Sequence, residues 1–141
     1  MTRPGSLVGL DLTVPNAPEV RDFYAAVIGW GVQGLRTGEN YDDADDYFMT
    51  GHDGAPVAGV CQKAGENADL PPRWMPYISV DDLGAAVEKA RELGGDVIAG
   101  PKGEGPGAYC VIQDPAGATL ALMQDPEGPD AGPRALSRAP I

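Results

Sequence analysis

The sequence predicts an α+β fold of two tandem βαβββ modules, and three observations lead to that prediction. Residues Gly107–Gln124 read as a β-hairpin around a turn that contains Pro and Gly, and Tyr47–Gln62 repeats the pattern 62 residues earlier. A second repeat, with a shift of 66 residues, places the strand pattern of Leu10–Val14 on Pro76–Val80. A helical pattern of apolar residues follows this strand in each half. Such internal repetition indicates one supersecondary unit used twice.

Each predicted module would place its helix on one face of a four-stranded sheet and leave the other face uncovered. Two such modules in one chain can turn these faces toward each other, so we expect curved mixed sheets that form a cleft between the modules. The predicted organisation is an N-terminal lead-in at 1–6, a first module at 7–62, a polar linker at 63–73, a second module at 74–125 and a disordered tail at 126–141.

The first module begins with a strand whose apolar residues alternate with small or polar ones: Val8, Leu10, Leu12 and Val14. Asn16 and Glu19 resemble a capping box at the start of a helix, and Gly29 provides its C-terminal stop. The helix carries an apolar stripe, formed by Val20, Phe23, Tyr24, Val27 and Ile28. A strand at Trp30–Arg36 and an acidic, turn-rich loop at Thr37–Asp46 lead into the first hairpin.

The second module follows the same plan. A strand at Trp74–Val80 precedes a helix with Asp82 as its predicted N-cap, and Gly94-Gly95 ends that helix. The apolar stripe of this helix is Leu83, Ala86, Val87, Ala90 and Leu93. A short strand at Asp96–Ala99 and a Gly/Pro loop lead into the second hairpin, whose turn is Asp114–Gly117.

Composition and charge narrow the class of protein. The chain has 141 residues and a formal net charge of −11, which argues against nucleic acid or an anionic membrane surface as a partner. No apolar run approaches the roughly 20 residues of a membrane span, and the first residues lack an apolar signal core, so we expect a cytoplasmic location. Cys61 and Cys110 fall in different repeats, so we expect no disulfide.

Four segments carry a family resemblance: VGLDLTVPNAPEVRDFYAAVIGW (8–30), PVAGV (56–60), YISVDDLGAAVEKARELGG (77–95) and QDPAGATLALMQ (113–124). In this order the chain resembles the vicinal oxygen chelate superfamily, which includes glyoxalase I, extradiol dioxygenases and bleomycin- and fosfomycin-resistance proteins. The resemblance covers roughly residues 6 to 125 and is closest to small two-module members described as glyoxalase-like or hydroxylase-like. It implies the fold but not the reaction, because one fold hosts many functions.

The resemblance also implies where a metal would bind. Metal-dependent members carry His, Gln or Glu early in the first strand of each module and Glu in its last strand. Those positions match Gly9 and Gly59 in the first module and Met75 and Ala121 in the second, and none of these residues is a hard-cation or zinc ligand. The single histidine, His52, falls on a hairpin turn. We therefore expect no metal and no cofactor.

Side-chain alternation assigns residues to the predicted cleft. Asp11 would be a desolvated carboxyl with a raised pKa, acting as a general acid or base. Tyr77, which could face Asp11, or Tyr109 would be the hydrogen-bond partner. Alternatively, Asp11 could hydrogen bond to the backbone or to a tyrosine hydroxyl and only organise its strand. Phe48 and Cys110 are expected on the helix side. The predicted substrate-binding residues are Tyr47, Met49, Cys61, Met75, Tyr109, Gln113 and Met123.

Two classes of function fit this site. The first is a metal-independent isomerase, lyase or cyclase acting on a small, largely apolar organic metabolite, with Asp11 as acid or base. The second is a binding protein that sequesters a drug or metabolite, as bleomycin-resistance proteins do. A metal-dependent glyoxalase or dioxygenase is a more distant third. The expected partners are a small-molecule ligand and a second copy of the chain in a homodimer, with neither nucleic acid nor membrane.

Overall fold

The computed structural model describes residues 4–35, 46–64 and 68–125. These residues form eight strands and two helices in a β-α-β-β-β order that occurs twice. The elements are β1 (Leu7–Val14), α1 (Ala17–Ile28), β2 (Gly31–Leu35), β3 (Asp46–Thr50), β4 (Pro56–Gln62), β5 (Trp74–Val80), α2 (Leu83–Glu92), β6 (Asp96–Lys102), β7 (Tyr109–Gln113) and β8 (Thr119–Gln124). The predicted α+β class and duplicated βαβββ pattern are thus confirmed. The predicted loop at 37–45 and the tail at 126–141 lie outside the described residues.

The described residues divide into two compact units: residues 10–35, 46–64 and 68–74 form one, and residues 4–9 and 75–125 form the other. In the first βαβββ pattern the strands follow the order β2-β3-β4-β1, and in the second they follow β6-β7-β8-β5. In both patterns the first strand pairs in parallel with the last, and the other pairings are antiparallel. Neither described helix is long and apolar enough to cross a membrane.

Each helix packs on one face of its own strands. In the first unit the core beneath α1 consists of Leu12, Val14, Ala17, Tyr47, Met49 and Val60. In the second unit the core beneath α2 consists of Leu83, Val87, Ala108, Cys110 and Leu122. Both cores combine every second residue of a strand with residues from one side of the helix. This is expected, because side chains return to the same face every two residues in a strand and about every 3.6 residues in a helix.

The apolar stripe predicted for α1 is only partly buried. Val20 and Tyr24 pack against the core, whereas Phe23, Val27 and Ile28 are exposed. Five apolar positions make a stripe wider than the sheet beneath α1 covers, so that part of the prediction was wrong. Gly29 ends the helix as predicted, with φ of 87° and an N–H that donates to the Ala25 carbonyl at 2.9 Å.

The start of α1 differs from the predicted capping box. The side chain of Asn16 makes no cap hydrogen bond, and its Nδ2 donates to Oε1 of Glu19 instead. Gln62, at the end of β4, supplies the cap: its Oε1 accepts from the Ala17 N–H at 3.1 Å, and its Nε2 donates to the Pro15 carbonyl at 2.6 Å. A side chain from a distant strand therefore satisfies a donor that the helix leaves open.

Gln124 repeats this arrangement in the second unit. Its Oε1 accepts from the Leu83 N–H at 2.9 Å, and its Nε2 donates to the Asp81 carbonyl at 2.7 Å. Here the predicted N-cap is also present, because Oδ1 of Asp82 accepts from the Ala85 N–H at 3.0 Å. The two glutamines thus join the last strand of each pattern to the start of its helix.

A β-bulge distinguishes the two hairpins. In β3 and β4, Met49 pairs with Ala58 but Thr50 pairs with Pro56, so Val57 is an extra, unpaired residue. The β7–β8 hairpin pairs without interruption from Tyr109–Met123 to Gln113–Thr119. A shift of one residue moves side chains to the opposite face of a sheet, so the ungapped repeat of 62 residues cannot hold for both strands of the first hairpin.

Candidate functional site

The most unusual side chain in the described structure is Asp11, in the middle of β1. Its exposed fraction is 3%, and no described group makes a hydrogen bond with either carboxyl oxygen. Buried polar atoms are almost always paired, because an unpaired one loses its hydration without compensation. No backbone or tyrosine group among the described residues thus reaches Asp11 in hydrogen-bonding geometry.

The environment of Asp11 favours its protonated form. Burial, with a further contribution from the charge of Asp46, raises the pKa of the Asp11 carboxyl to about 8. The backbone N–H of Gly59 acts in the opposite direction, but it does not reach either oxygen in hydrogen-bonding geometry. A desolvated carboxyl with a neighbouring negative charge takes up a proton at higher pH than a solvated one. Asp11 can consequently donate a proton near neutral pH.

Gly59 provides the space that the Asp11 carboxyl occupies. The two residues are direct partners across the parallel pairing of β1 and β4. A methyl group at position 59 would overlap Oδ1 of Asp11 and would lie 3.2 Å from its Cγ and 3.7 Å from Sγ of Cys61. The absence of a side chain at Gly59 is therefore necessary for the carboxyl to lie in this position.

Strand register shows which residues share a face with Asp11. One row across the strands is Asp11, Gly59 and Phe48, and the next row is Thr13, Cys61 and Asp46. Residues two apart on a strand point to the same side, so both rows line one face of the unit. Asp46, Thr13 and Cys61 are buried, and Oδ1 of Asp46 accepts from the Gln62 N–H at 3.0 Å. This face, called here the carboxyl face, combines two acids with a thiol, a hydroxyl and one phenyl ring.

Cys61 is buried and free, as is Cys110. Burial, and then the charges of Asp11 and Asp46, raise the pKa of the Cys61 thiol. A thiol that resists ionisation is a poor nucleophile. Cys61 lies on the carboxyl face, the side of β4 to which alternation had assigned it, but the environment does not activate it for covalent chemistry.

The predicted positions of Tyr47, Met49 and Phe48 were wrong. Tyr47 and Met49 belong to the core beneath α1, and the guanidinium of Arg21 on that helix lies 4.6 Å from the centre of the Tyr47 ring. Phe48, expected on the helix side, pairs with Gly59 and lies on the carboxyl face. The bulge at Val57 is the cause, because it reverses the facing of β3 relative to the ungapped repeat.

The second unit presents a different surface at the corresponding strands. Met75, Tyr77 and Ser79 alternate as the buried residues of β5, and on β8 Ala121 pairs with Tyr77 and Met123 pairs with Ser79. Tyr109 pairs with Met123, and its ring meets that of Tyr77 edge-to-face at 5.8 Å. Cys110 is in the core beneath α2, as predicted. The pair of tyrosines with two methionines is called here the tyrosine face.

Two residues of this unit differ in detail from expectation. Gln113 is half-buried at the hairpin end, and its Nε2 donates to the Gly117 carbonyl at 3.2 Å, so its amide contributes to the turn. Lys102, which pattern analysis missed, pairs with Tyr109, and its Nζ lies 6.0 Å from the centre of that ring. Asp46 was missed as well, because the acidic composition before it indicated a loop. The positions of Lys102 and Asp46 beside these faces become visible only from the strand register.

The residues at the family's metal positions do not fit a metal. Gly9, Gly59, Met75 and Ala121 offer no ligand for a hard cation or zinc, and the space beside Gly59 is filled by the carboxyl of Asp11. Within residues 4–35, 46–64 and 68–125, no three His, Cys, Asp or Glu side chains are grouped as a metal site would require. His52 is exposed on the first hairpin turn. We derive no chemical step through a metal.

The duplicated βαβββ pattern defines the vicinal oxygen chelate superfamily, as the sequence motifs predicted. Within it the chain belongs to the glyoxalase-like domain family, whose model matches residues 8–130. A hypothetical protein, BH1468 from Bacillus halodurans, superposes with a TM-score of 0.54 at 12% identity, covering 92% of this chain and all of that one. At this identity the likeness shows the fold alone.

Curated relatives are similar over most of this chain. The protein named "Putative glyoxylase CFP32" in Mycobacterium tuberculosis is 32% identical over 130 residues, covering 86% of this chain and 46% of that protein. The anthracycline biosynthesis protein DnrV of Streptomyces peucetius is 31% identical over 139 residues, covering 88% of this chain and 49% of that protein. The chain thus spans about half the length of the curated relatives it matches.

Proposed function

We propose that the protein is a metal-independent enzyme that binds a small, largely apolar organic metabolite and uses Asp11 as its acid/base group. The observation that carries this proposal is the buried Asp11 carboxyl, both of whose oxygens lack a hydrogen-bond partner among the described residues. Unpaired buried carboxyls are costly to stability, and perturbed groups of this kind concentrate at functional sites. A ligand that hydrogen bonds to Asp11 would compensate this cost.

The proposed chemistry is proton transfer. With its pKa raised to about 8, Asp11 holds a proton at neutral pH and can deliver it to an oxygen or carbon of the substrate. The carboxylate that results can then accept a proton elsewhere on the same molecule. An isomerase, lyase or cyclase needs such a relay and no redox group. Tyr77 is proposed as a hydrogen-bond partner of the substrate.

The relatives indicate which compounds to try first. DnrV and the similar DauV of Streptomyces carry anthracycline biosynthesis in their names, and a flat aromatic ligand suits tyrosine and methionine contacts. We therefore propose anthracyclines and their polycyclic aromatic precursors as probes. Any compound that co-purifies with the protein, identified by mass spectrometry, would be added to the series.

The test compares wild type with Asp11→Asn. The amide is nearly the same size as the carboxyl but cannot donate an acidic proton. We expect probe affinity within about threefold of wild type, measured by fluorescence titration, and a loss of at least about 100-fold in turnover, measured by liquid chromatography with mass spectrometry. Asp53→Asn, in an exposed turn of the same unit, is the matched control and should retain both. Full turnover in Asp11→Asn would refute the acid/base role.

Absence of metal chemistry is part of the proposal and has its own test. It is supported by the residues at the family's ligand positions, which are Gly9, Gly59, Met75 and Ala121. Elemental analysis of purified protein should give less than about 0.1 equivalent of zinc, iron, nickel or manganese, since none of these four residues is a hard-cation or zinc ligand. A stoichiometric content of any of these metals would contradict it.

The second candidate function is sequestration of a drug or metabolite without turnover. The tyrosine face favours it, because Tyr77, Tyr109 and the two methionines provide apolar and aromatic surface that binding alone would use. Tight binding of a probe that is recovered unchanged, equally in wild type and Asp11→Asn, would decide for sequestration.

We also propose that the protein is cytoplasmic and forms a homodimer. Size-exclusion chromatography with light scattering would test the oligomeric state.

A further inference from the structure

The tyrosine face ends in a basic side chain that the proposed function does not use. Lys102, the last residue of β6, is the one Lys or Arg within the eight strands that the structure describes. Lys102 pairs with Tyr109 on β7, and the row continues through Met123 on β8 to Ser79 on β5. Directly paired residues point to the same side of a sheet, so this row places Lys102 on the tyrosine face.

An irregularity in β6 turns Lys102 to this side. Ala99 pairs with Val111 and Lys102 pairs with Tyr109, so β6 contains one residue more than β7 between these two pairs. One extra residue in a strand moves the side chains that follow it to the opposite face. Without it, Lys102 would point toward α2 and away from the tyrosines.

The contacts between side chains agree with the register. Nζ of Lys102 lies 6.0 Å from the centre of the Tyr109 ring, and this ring meets that of Tyr77 edge-to-face at 5.8 Å. An ammonium group at this distance is attracted to the negative face of the ring. Exposure increases along the row, from the fully buried Ser79 to the half-buried Lys102. The positive charge therefore lies at the accessible end of an aromatic and apolar surface.

We propose that Lys102 is a specificity residue that selects polycyclic aromatic ligands carrying a carboxylate. The aromatic body lies against Tyr77 and Tyr109, and the carboxylate reaches the ammonium group at the accessible end of the row. The chain has a formal net charge of −11, so the molecule as a whole repels an anionic ligand, which needs a local positive charge to bind. This inference rests on the proposed function for the aromatic body of the ligand and adds its charge.

The test uses two probes of nearly the same size, an anthraquinone carboxylic acid and its neutral carboxamide, with affinities measured by isothermal titration calorimetry at neutral pH. Wild type should bind the acid about fivefold more tightly than the amide, because the pair of ammonium and carboxylate is a charge-assisted hydrogen bond at a half-buried position. Lys102→Gln should bring this ratio to about one and keep its affinity for the amide within about twofold of wild type. Lys102→Arg keeps the charge and should retain the preference.

Lys89→Gln is the matched control, since it removes one exposed positive charge from α2 and should keep the wild-type ratio. Lys102→Met, also neutral, serves if Lys102→Gln does not fold. Equal affinity of wild type for the two probes, no binding of either probe, or a preference for the acid that survives in the neutral variant would overturn the proposal. So would an equal loss of both probes in that variant, because Lys102 would then support the strand and not the ligand. Since binding is measured without turnover, the inference can fail while Asp11→Asn abolishes turnover, and it can hold where Asp11→Asn retains turnover.

Discussion

The two units share the same strand order and pairing directions but carry chemically different side chains at equivalent positions. In the first, the two rows of the carboxyl face are Asp11, Gly59, Phe48 and Thr13, Cys61, Asp46. In the second, the corresponding rows are Tyr77, Ala121, Val111 and Ser79, Met123, Tyr109. One face therefore holds two acids, whereas the other holds no acid and combines apolar side chains with two tyrosines and one serine. Duplication preserved the backbone and left the side chains free to diverge.

The difference is largest between Asp11 and Tyr77. Asp11 is 3% exposed without a hydrogen bond, while the Tyr77 ring is 1% exposed and packs edge-to-face on Tyr109. Burial of an aromatic ring stabilises a unit, and burial of an unpaired carboxyl destabilises it. Among the described residues, the first unit thus bears the cost of a buried, unpaired carboxyl that the second does not.

The largest expected effect comes from removing that cost. The pKa of Asp11 is raised to about 8 from an ordinary 3.8, so its native state holds the proton more tightly than the unfolded chain. Its contribution to stability is full below pH 4 and is lost as the pH rises toward 8. Asp11→Asn should therefore gain on wild type by roughly 3–5 kcal/mol between pH 4 and pH 8, measured by urea unfolding.

Tyr77→Phe is the counterpart in the second unit. It removes no carboxyl, so its difference from wild type should stay constant over the same pH range. A pH-independent difference for Asp11→Asn as well would show that Asp11 is not perturbed, and the contrast between the two faces would disappear.

The bulge can be tested by the side chains it moves. Met49 is fully buried in the core beneath α1, and its counterpart by register in the second unit, Ile112, is half-buried. Met49→Ala should cost about 3 kcal/mol and Ile112→Ala about 1 kcal/mol, since the cost of truncation follows burial. If Met49→Ala left stability intact but weakened probe binding, Met49 would line the ligand site as the sequence had indicated.

The two glutamine caps should behave alike, because they are the feature in which the units agree. Gln62→Ala and Gln124→Ala each remove one acceptor and one donor bond at a helix start. Each should lower stability by about 1–2 kcal/mol, as measured by thermal and urea unfolding. Values that differ by more than about 1 kcal/mol would show that the repeated geometry hides unequal energetics.

The smallest expected effect is at the helix N-caps. Asp82→Ala removes a bond to the Ala85 N–H and should cost about 1 kcal/mol. Asn16→Ala removes no cap bond and should cost less than about 0.5 kcal/mol. If the two variants lost equal free energy of unfolding in urea, Asn16 would cap α1 as the sequence had predicted.

Much of the fold follows from local patterns. Alternation in β1 and β5, the turn at Asp114–Gly117 and the stop at Gly29 each have a physical cause within a few residues, and each was predicted correctly. The burial of Asp11 followed from the same alternation. What local pattern could not supply was any contact made by residues far apart in the chain.

Three examples show why. Asn16 and Glu19 have the right residue types for a capping box. The N–H at the start of the helix, on Ala17, instead donates to the side chain of Gln62, which lies 45 residues further along the chain. Apolar residues on α1 gave no indication of how much of the helix its strands cover. The extra residue at Val57 makes the first hairpin one residue longer, but the ungapped repeat begins at Tyr47 instead of Asp46 and so hides it. Nothing in that alignment reveals that Phe48 and Tyr47 exchange faces.

The unpaired Val57 has a consequence for engineering chimeras of this chain. A hairpin transplanted from the second unit into the first by ungapped alignment would arrive without the extra residue. The graft would turn the side chains of its first strand to the opposite face of the sheet. Asp46 would then point toward α1 and leave the carboxyl face, although every substituted residue looked homologous. Insertion of one residue, rather than exchange of one amino acid for another, is then the change that would return Asp46 to the carboxyl face.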